Sequence, residues 1–150
     1  MPSSSPDARG REATGPRRPL VLIVDDNEKN LRLARDVLRA AGFETLEAAS
    51  GAAGIALAAE HLPDVILMDL RLPDMDGTDA LAMLGSDTRT ARTPVVALSA
   101  LRLADDRGWL LAAGFAGCLE KPIDVAEFPE EVRGYCTSGE DRRSSHARHP

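Results

Sequence analysis

Asp25-Asp26, Asp69, Ser99 and Lys121-Pro122 each stand at the end of a short apolar run. The runs are residues 20–24, 65–68, 95–98 and 115–120. If they lie side by side and point the same way, three carboxylates, one hydroxyl and one ammonium converge at one edge. Aspartate and serine are ordinary where strands pass into loops, so any one of these residues alone admits a purely structural reading. Jointly they do not. Three crowded carboxylates would repel one another and raise their pKa values. A hard divalent cation removes that conflict, and oxygen ligands with open water positions suit Mg2+.

These residues meet only if the intervening chain brings each run back to the same edge. Run 20–24 is apolar throughout, as expected of a parallel strand covered on both faces. Leu31, Ala34, Val37, Leu38 and Ala41 then mark one helical stripe, with Gly42 placed to end it. Residues 43–48 read as a second strand, and Ser50 can cap an alanine-rich helix reaching about Leu62. Residues 65–68 form a third strand, and Ala80, Leu81 and Leu84 suggest a short helix after Gly77. Residues 95–98 make a fourth strand, a helix follows from about Leu103 to Ala113, and residues 115–120 make a fifth strand. Asp124 and Glu127 have capping-box spacing. Pro129 would remove a hydrogen bond inside a regular helix, so it is expected to open a short last helix after a looser turn. That helix should end near Cys136. Ala-Ala-Gly-Phe occurs at 40–43 and again at 112–115, each time between helix and strand, which implies similar connection chemistry. Five successive β-α units predict an α/β fold with a doubly wound, five-stranded parallel sheet, because parallel strands need right-handed crossovers. Ligands of such sheets bind at the carboxyl ends of strands, where the polar residues lie.

At 150 residues with 43% hydrophobic content, the chain fits one compact domain, expected over 20–136. The flanks, 1–19 and 137–150, lack apolar periodicity and are expected to be disordered tails. The body holds 20 acidic and 11 basic residues, a net of -9, and the flanks hold 7 basic and 4 acidic, which together give -6. So acidic a body repels phosphate backbones, which argues against nucleic acid as a partner. No apolar run is long enough for a membrane span, and the first is too short for a secretory segment, so a cytoplasmic protein is expected. Two cysteines, Cys118 and Cys136, do not make a disulfide framework.

The ordered set Asp25-Asp26, Asp69-x-x-x-Pro73-x-x-x-Gly77, Ser99-Ala100 and Lys121-Pro122 resembles the bacterial two-component response-regulator receiver domain, of the stand-alone, chemotaxis-regulator-like kind. The resemblance spans about residues 20–136 and implies a flavodoxin-like (βα)5 fold. It implies that Asp69 accepts a phosphoryl group from a phosphohistidine, in a histidine kinase or a histidine phosphotransfer protein. Asp26 and Asp69 would bind Mg2+ directly, Asp25 largely through water, and the backbone carbonyl of Arg71 would add a ligand. Ser99 would contact a phosphoryl oxygen, and Lys121 would pair with phosphate or carboxylate. The Lys121-Pro122 peptide would be cis. Such a protein is a switch that catalyses only its own phosphorylation and dephosphorylation, and it signals by binding an unidentified downstream protein, as a monomer or a phosphorylation-dependent dimer. The physics is consistent with these roles, since phosphoryl transfer depends on positioning and on neutralising charge at equatorial oxygens. A carboxylate nucleophile must stay ionised, so Asp69 needs no upward pKa tuning. Pro73 and Gly77 are expected to shape the loop after Asp69, through a fixed φ and access to positive φ respectively.

Two residues depart from the family pattern. Cys118 stands where an aromatic is usual, three residues before the lysine, so it is either a small buried strand residue or the mark of an altered switch. Coupling from Ser99 would then run through the loop after it, including Leu101 and Arg102, or through neighbouring packing. Arg71 puts a long cation two residues after Asp69, where it either bears on water reaching an acyl phosphate or is a solvated loop arginine. Other functional classes fit less well. An aspartyl-phosphate phosphatase would show Asp-x-Asp, whereas Asp69 is followed by Leu70 and Arg71. A carrier of flavin mononucleotide needs a phosphate-binding loop after its first strand, where Asp25-Asp26 would repel phosphate. No glycine-rich nucleotide loop is present. His61, His146 and His149 have no support as phosphodonors, so a partner must supply the phosphoryl group.

Overall fold

The computed structural model describes residues 18–99 and 103–145, with side chains described at 18–99 and 108–136. The elements in chain order are β1 (Leu20–Val24), α1 (Glu28–Ala40), β2 (Glu44–Ala48), α2 (Gly51–His61), β3 (Val65–Asp69), α3 (Gly77–Gly85), β4 (Val95–Ser99), α4 (Leu103–Ala113), β5 (Gly117–Glu120) and α5 (Phe128–Ser145). All neighbouring strands pair in parallel, in the order β2-β1-β3-β4-β5. The doubly wound α/β sheet expected from the apolar runs is therefore present.

Alternation along each strand divides the core in two. Val21, Ile23, Val65, Leu67, Val96 and Leu98 pack with Leu31, Ala34 and Leu38 of α1 and with Phe128 and Val132 of α5. Leu22, Val24, Ile66, Met68, Val95 and Ala97 pack on the other face with Ala58 of α2, Ala80 and Leu84 of α3 and Leu110 of α4. β3 and β4 are buried at every position, which is why they read as unbroken apolar runs.

Local chemistry sets the helix ends. Asn27 accepts the Asn30 amide at 3.1 Å and Ser50 accepts the Ala53 amide at 3.2 Å, the N-caps of α1 and α2; such a cap contributes about 1 kcal/mol. The two Ala-Ala-Gly-Phe segments do close their helices in the same way. Gly42 and Gly114 adopt φ of +100° and +116°. The Phe43 amide reaches back to the Leu38 carbonyl and the Phe115 amide to the Leu110 carbonyl, at 3.0 and 3.2 Å. Those phenylalanine amides are thereby used up in closing the helices. The ladders accordingly start at Glu44 and Gly117, slightly later than the strands read from sequence.

The C-terminal helix starts as expected but ends later. Asp124 caps a separate turn, accepting the amides of Ala126 and Glu127 at 2.9 and 3.3 Å, and α5 begins at Phe128 with Pro129 in its first turn. The helix then runs past Cys136 to Ser145 instead of giving way to a disordered tail at 137. Once a helix is nucleated, each further residue adds a hydrogen bond, so it can continue without an apolar stripe. At the other end Pro19, assigned to the N-terminal tail from sequence, already accepts the Glu44 amide at 2.9 Å. The remainder of both tails, 1–17 and 146–150, lies outside the described residues. Among the described residues no helix is long and apolar enough to cross a membrane.

Candidate functional site

Val24 and Met68 are register partners on adjacent strands, so Asp25 and Asp69 leave the sheet side by side, one step further along. This is where the strand order reverses, between β1 and β3, the crevice in which open α/β sheets bind ligands. Carboxylate oxygens of Asp25, Asp26 and Asp69 lie within 4.8 Å of one another. Asp25 is fully buried and Asp69 only 9% exposed, whereas Asp26 is open to solvent. Two charges are withdrawn from water and a third stands at the mouth.

Lys121, just beyond β5, spans the first two. Its Nζ is 3.0 Å from Asp25 Oδ2 and 3.3 Å from Asp69 Oδ2. Burial works to lower the Lys121 pKa, but the hydrogen bonds and charges of Asp25 and Asp69 outweigh it, and the net shift is upward. The ammonium therefore stays charged. Asp69 moves upward too, first because burial penalises its charge and then because Asp25 repels it; the Arg71 amide and Lys121 oppose the shift. The sequence alone called for no upward tuning of Asp69. Burial at the end of a central strand imposes it, and a cation beside the three carboxylates would reverse it. The donor set fits a hard divalent cation: every ligand atom is a carboxylate oxygen, and one carboxylate is exposed enough to leave room for water.

Asp25 is held more firmly than the sequence suggested. Its Oδ1 accepts the Asn27 amide at 2.9 Å, and its Oδ2 accepts Asn30 Nδ2 at 3.2 Å. Sequence reasoning singled out neither asparagine, although Asn27 before a helical stripe is an N-cap signal that could have been read. Ser99 closes β4, 2% exposed, and its carbonyl accepts the Lys121 amide at 2.8 Å, which joins the ends of β4 and β5. The Lys121-Pro122 peptide is cis. Arg71 is exposed, and its amide donates to Asp69 Oδ1 at 3.2 Å.

The loop after Asp69 folds on itself. Arg71 and Asp76 form an antiparallel bridge, the Leu72 amide donates to the Met75 carbonyl at 3.2 Å, and the Gly77 amide donates to the Leu70 carbonyl at 2.8 Å. Gly77 is not at positive φ, contrary to expectation. It is small because a Cβ there would lie 2.8 Å from the Asp69 carbonyl oxygen and 3.0 Å from Leu70 Cα. At the tip, Asp74 accepts the amides of Gly51 and Ala52 at 2.8 and 2.9 Å, and these bonds hold its pKa below the usual carboxylate range. Nothing in sequence spacing pointed to a contact over that separation.

Cys118 is a buried strand residue opposite Ala97, packed on the α2–α4 side of the sheet, whereas Cys136 packs on the α1–α5 side. Among the described residues neither is in a disulfide. Leu101 and Arg102, on one of the two routes expected for coupling from Ser99, lie outside the described residues.

Comparison with known proteins agrees with this geometry. A family profile described as the response regulator receiver domain matches residues 21–133. The polar-differentiation response regulator DivK of Brucella ovis is 38% identical over 115 residues, covering 77% of this chain and 94% of that protein. The receiver domain of sensor histidine kinase PA1611 from Pseudomonas aeruginosa, described with a magnesium ion coordinated in the active site cleft, superposes with a TM-score of 0.72 at 32% identity, covering 80% of this chain and 98% of that one. The chemotaxis response regulator CheY4 of Vibrio cholerae superposes with a TM-score of 0.73 at 25% identity, covering 79% and 98%.

Proposed function

Because this chain belongs to the response regulator receiver domain family, a regulatory component of two-component signalling, we propose that Asp69 accepts a phosphoryl group from a phosphohistidine in a histidine kinase or histidine phosphotransfer protein. The phosphorylated form then binds a downstream protein in the cytoplasm. The observation that carries this reading is the juxtaposition of Asp25, Asp26 and Asp69 within 4.8 Å, with the Lys121 ammonium against two of them.

Asp69 is the nucleophile. A carboxylate oxygen attacks phosphorus as the P–N bond to the donor imidazole breaks, and the imidazole takes up a proton. Lys121 stays charged through its carboxylate partners and neutralises oxygens of the transferring group. The Ser99 hydroxyl donates to one of those oxygens. Asp26, Asp69 and the Arg71 carbonyl would hold Mg2+ directly. Both oxygens of Asp25 already accept protein hydrogen bonds, which favours its holding the ion through water. When bound, the ion supplies positive charge to the phosphoryl oxygens.

The test is mass spectrometry after incubation with acetyl phosphate. Wild type gains acid-labile phosphate only with Mg2+, and Asp69→Asn, which keeps the shape but not the nucleophile, gains none. Robust acid-labile phosphate on Asp69→Asn would overturn the assignment.

A further inference from the structure

Asp25 and Asp26 follow β1, Asp69 ends β3 and Arg71 lies in the loop after it, so something must hold the segments beyond the two strands in register. The paired register ends at Val24 and Asp69, and the last sheet bonds are those of the Asp25 and Leu70 amides to the Ala48 and Leu98 carbonyls, at 3.0 and 3.3 Å. Beyond them the β3–α3 loop projects as a narrow hairpin, closed by the Arg71–Asp76 bridge and the Leu72–Met75 hydrogen bond. Its tip is tied at Asp74 and Met75.

The tie reaches across to a third element. Asp74 Oδ1 and Oδ2 each accept one amide at the start of α2, from Gly51 and Ala52, at 2.8 and 2.9 Å. Both oxygens are engaged, so the carboxylate is fixed in plane as well as position. A negative group at a helix N-terminus also meets the positive end of the helix dipole. Met75 extends the seam, its side chain so close over Gly51 that a Cβ there would lie 2.5 Å from Met75 Cγ. One turn further, Gly54 lets α2 lie on Val24, where a Cβ would come within 2.7 Å of a Val24 methyl. Val24 is the residue before Asp25. A continuous path therefore runs from the end of β3 at Asp69 and the loop carrying Arg71, through Asp74 and Met75, along α2, to the end of β1, which Asp25 and Asp26 follow.

We propose that Asp74 is a positioning residue for the acidic site: by clamping the β3–α3 hairpin to the N-terminus of α2, it sets the Arg71 backbone and Asp69 against Asp25 and Asp26 in the spacing that a divalent cation requires. This deepens the functional reading above and rests on it for the identity of the ion. Asp74 itself touches neither the ion nor the phosphoryl group. Its effect is on how tightly the ion is held, not on the reaction once the ion is bound.

The experiment compares wild type, Asp74→Ala, Asp74→Asn and Ser50→Ala. Ser50→Ala removes the other side-chain cap of the same helix, the bond to the Ala53 amide, without touching the hairpin. Mg2+ affinity is measured by calorimetry, and the acetyl phosphate reaction is followed over a range of Mg2+ concentrations. Asp74→Ala should weaken Mg2+ binding about tenfold, the lower end of the range for partners that orient metal ligands. Its phosphorylation rate at saturating Mg2+ should match wild type. Asp74→Asn keeps one acceptor oxygen and should fall between the two. Ser50→Ala should lower the urea midpoint yet leave Mg2+ affinity unchanged. Unaltered Mg2+ affinity in Asp74→Ala, or an equal loss in Ser50→Ala, would overturn the clamp while leaving the functional reading intact. If wild type binds Mg2+ but takes up no phosphoryl group, the functional reading fails, and the titrations still decide the role of Asp74.

Discussion

Gly77 lies directly against the backbone of Asp69: a methyl group in place of its hydrogen would stand 2.8 Å from the Asp69 carbonyl oxygen. The two nearest atoms, the Asp69 carbonyl oxygen and Leu70 Cα, are main chain, so no side-chain rotation relieves the closest contacts. Gly77→Ala should therefore cost about 1–3 kcal/mol, as overpacking generally does. It should also shift Asp69, and the acetyl phosphate rate should fall on the order of tenfold or more, because small misplacements of a reacting group are expensive. Urea unfolding and rate measurements check both; full stability at an unchanged rate would show that the loop absorbs the methyl group.

Asp69 bears on stability in the opposite sense. Its pKa in the folded, ion-free protein is raised, first by burial and then by Asp25. A carboxyl so shifted disfavours the native state while ionised, fully above its folded pKa, and that penalty fades as pH falls towards the unfolded value. In EDTA at neutral pH, Asp69→Asn should thus melt above wild type. The gap should close as pH is lowered through the raised pKa. Thermal melts across that range test the sign, and a lower midpoint for Asp69→Asn at neutral pH would contradict it.

Asp26 is the exposed member of the acidic trio, so its side chain contributes little to packing. Asp26→Ala should change stability by no more than about 0.5 kcal/mol. Mg2+ binding should weaken by at least the roughly 10–100-fold seen when a metal ligand loses its supporting partner. Phosphorylation should fall with it. Calorimetry alongside phosphorylation assays, with and without EDTA, tests the link. A normal rate in excess EDTA would separate the reaction from the ion.

Ser99 and Cys118 differ in what they can report. Ser99 closes β4 beside the carboxylates, whereas Cys118 is a small side chain packed with Leu110 and Phe115 in the sheet core. No ring is present at Cys118 to swing between positions. Ser99→Ala should therefore blunt the gain in partner affinity produced by beryllofluoride more than Cys118→Ala does. Affinities with and without the phosphoryl mimic decide it, and the reverse order would mean the switch does not pass through Ser99.

Much of the fold was legible in the chain itself. Strands buried on both faces must be apolar at every position, so Leu20–Val24, Val65–Met68 and Val95–Leu98 stood out. Their polar ends marked the edge where chemistry could lie, and Gly42 and Gly114 revealed a shared way of ending a helix. Each of these signals is local, written within a few residues.

Contacts between distant segments leave no such mark. That β1 lies between β2 and β3, bringing Asp25 beside Asp69, follows from pairing among five similar apolar runs, which no one of them specifies. The reach of Asp74 to the amides of Gly51 and Ala52 joins the loop after β3 to the start of α2, across the rest of that helix and β3. Gly77 was expected to shape its loop through access to positive φ, yet the Asp69 backbone passes too close there for a Cβ. The sequence alone determined which groups were available and at which edge they would gather. Only the tertiary structure decided which carboxylates Lys121 bridges, how deeply Asp69 is buried and what ties the loops together, because those depend on distances set by packing across the whole sheet.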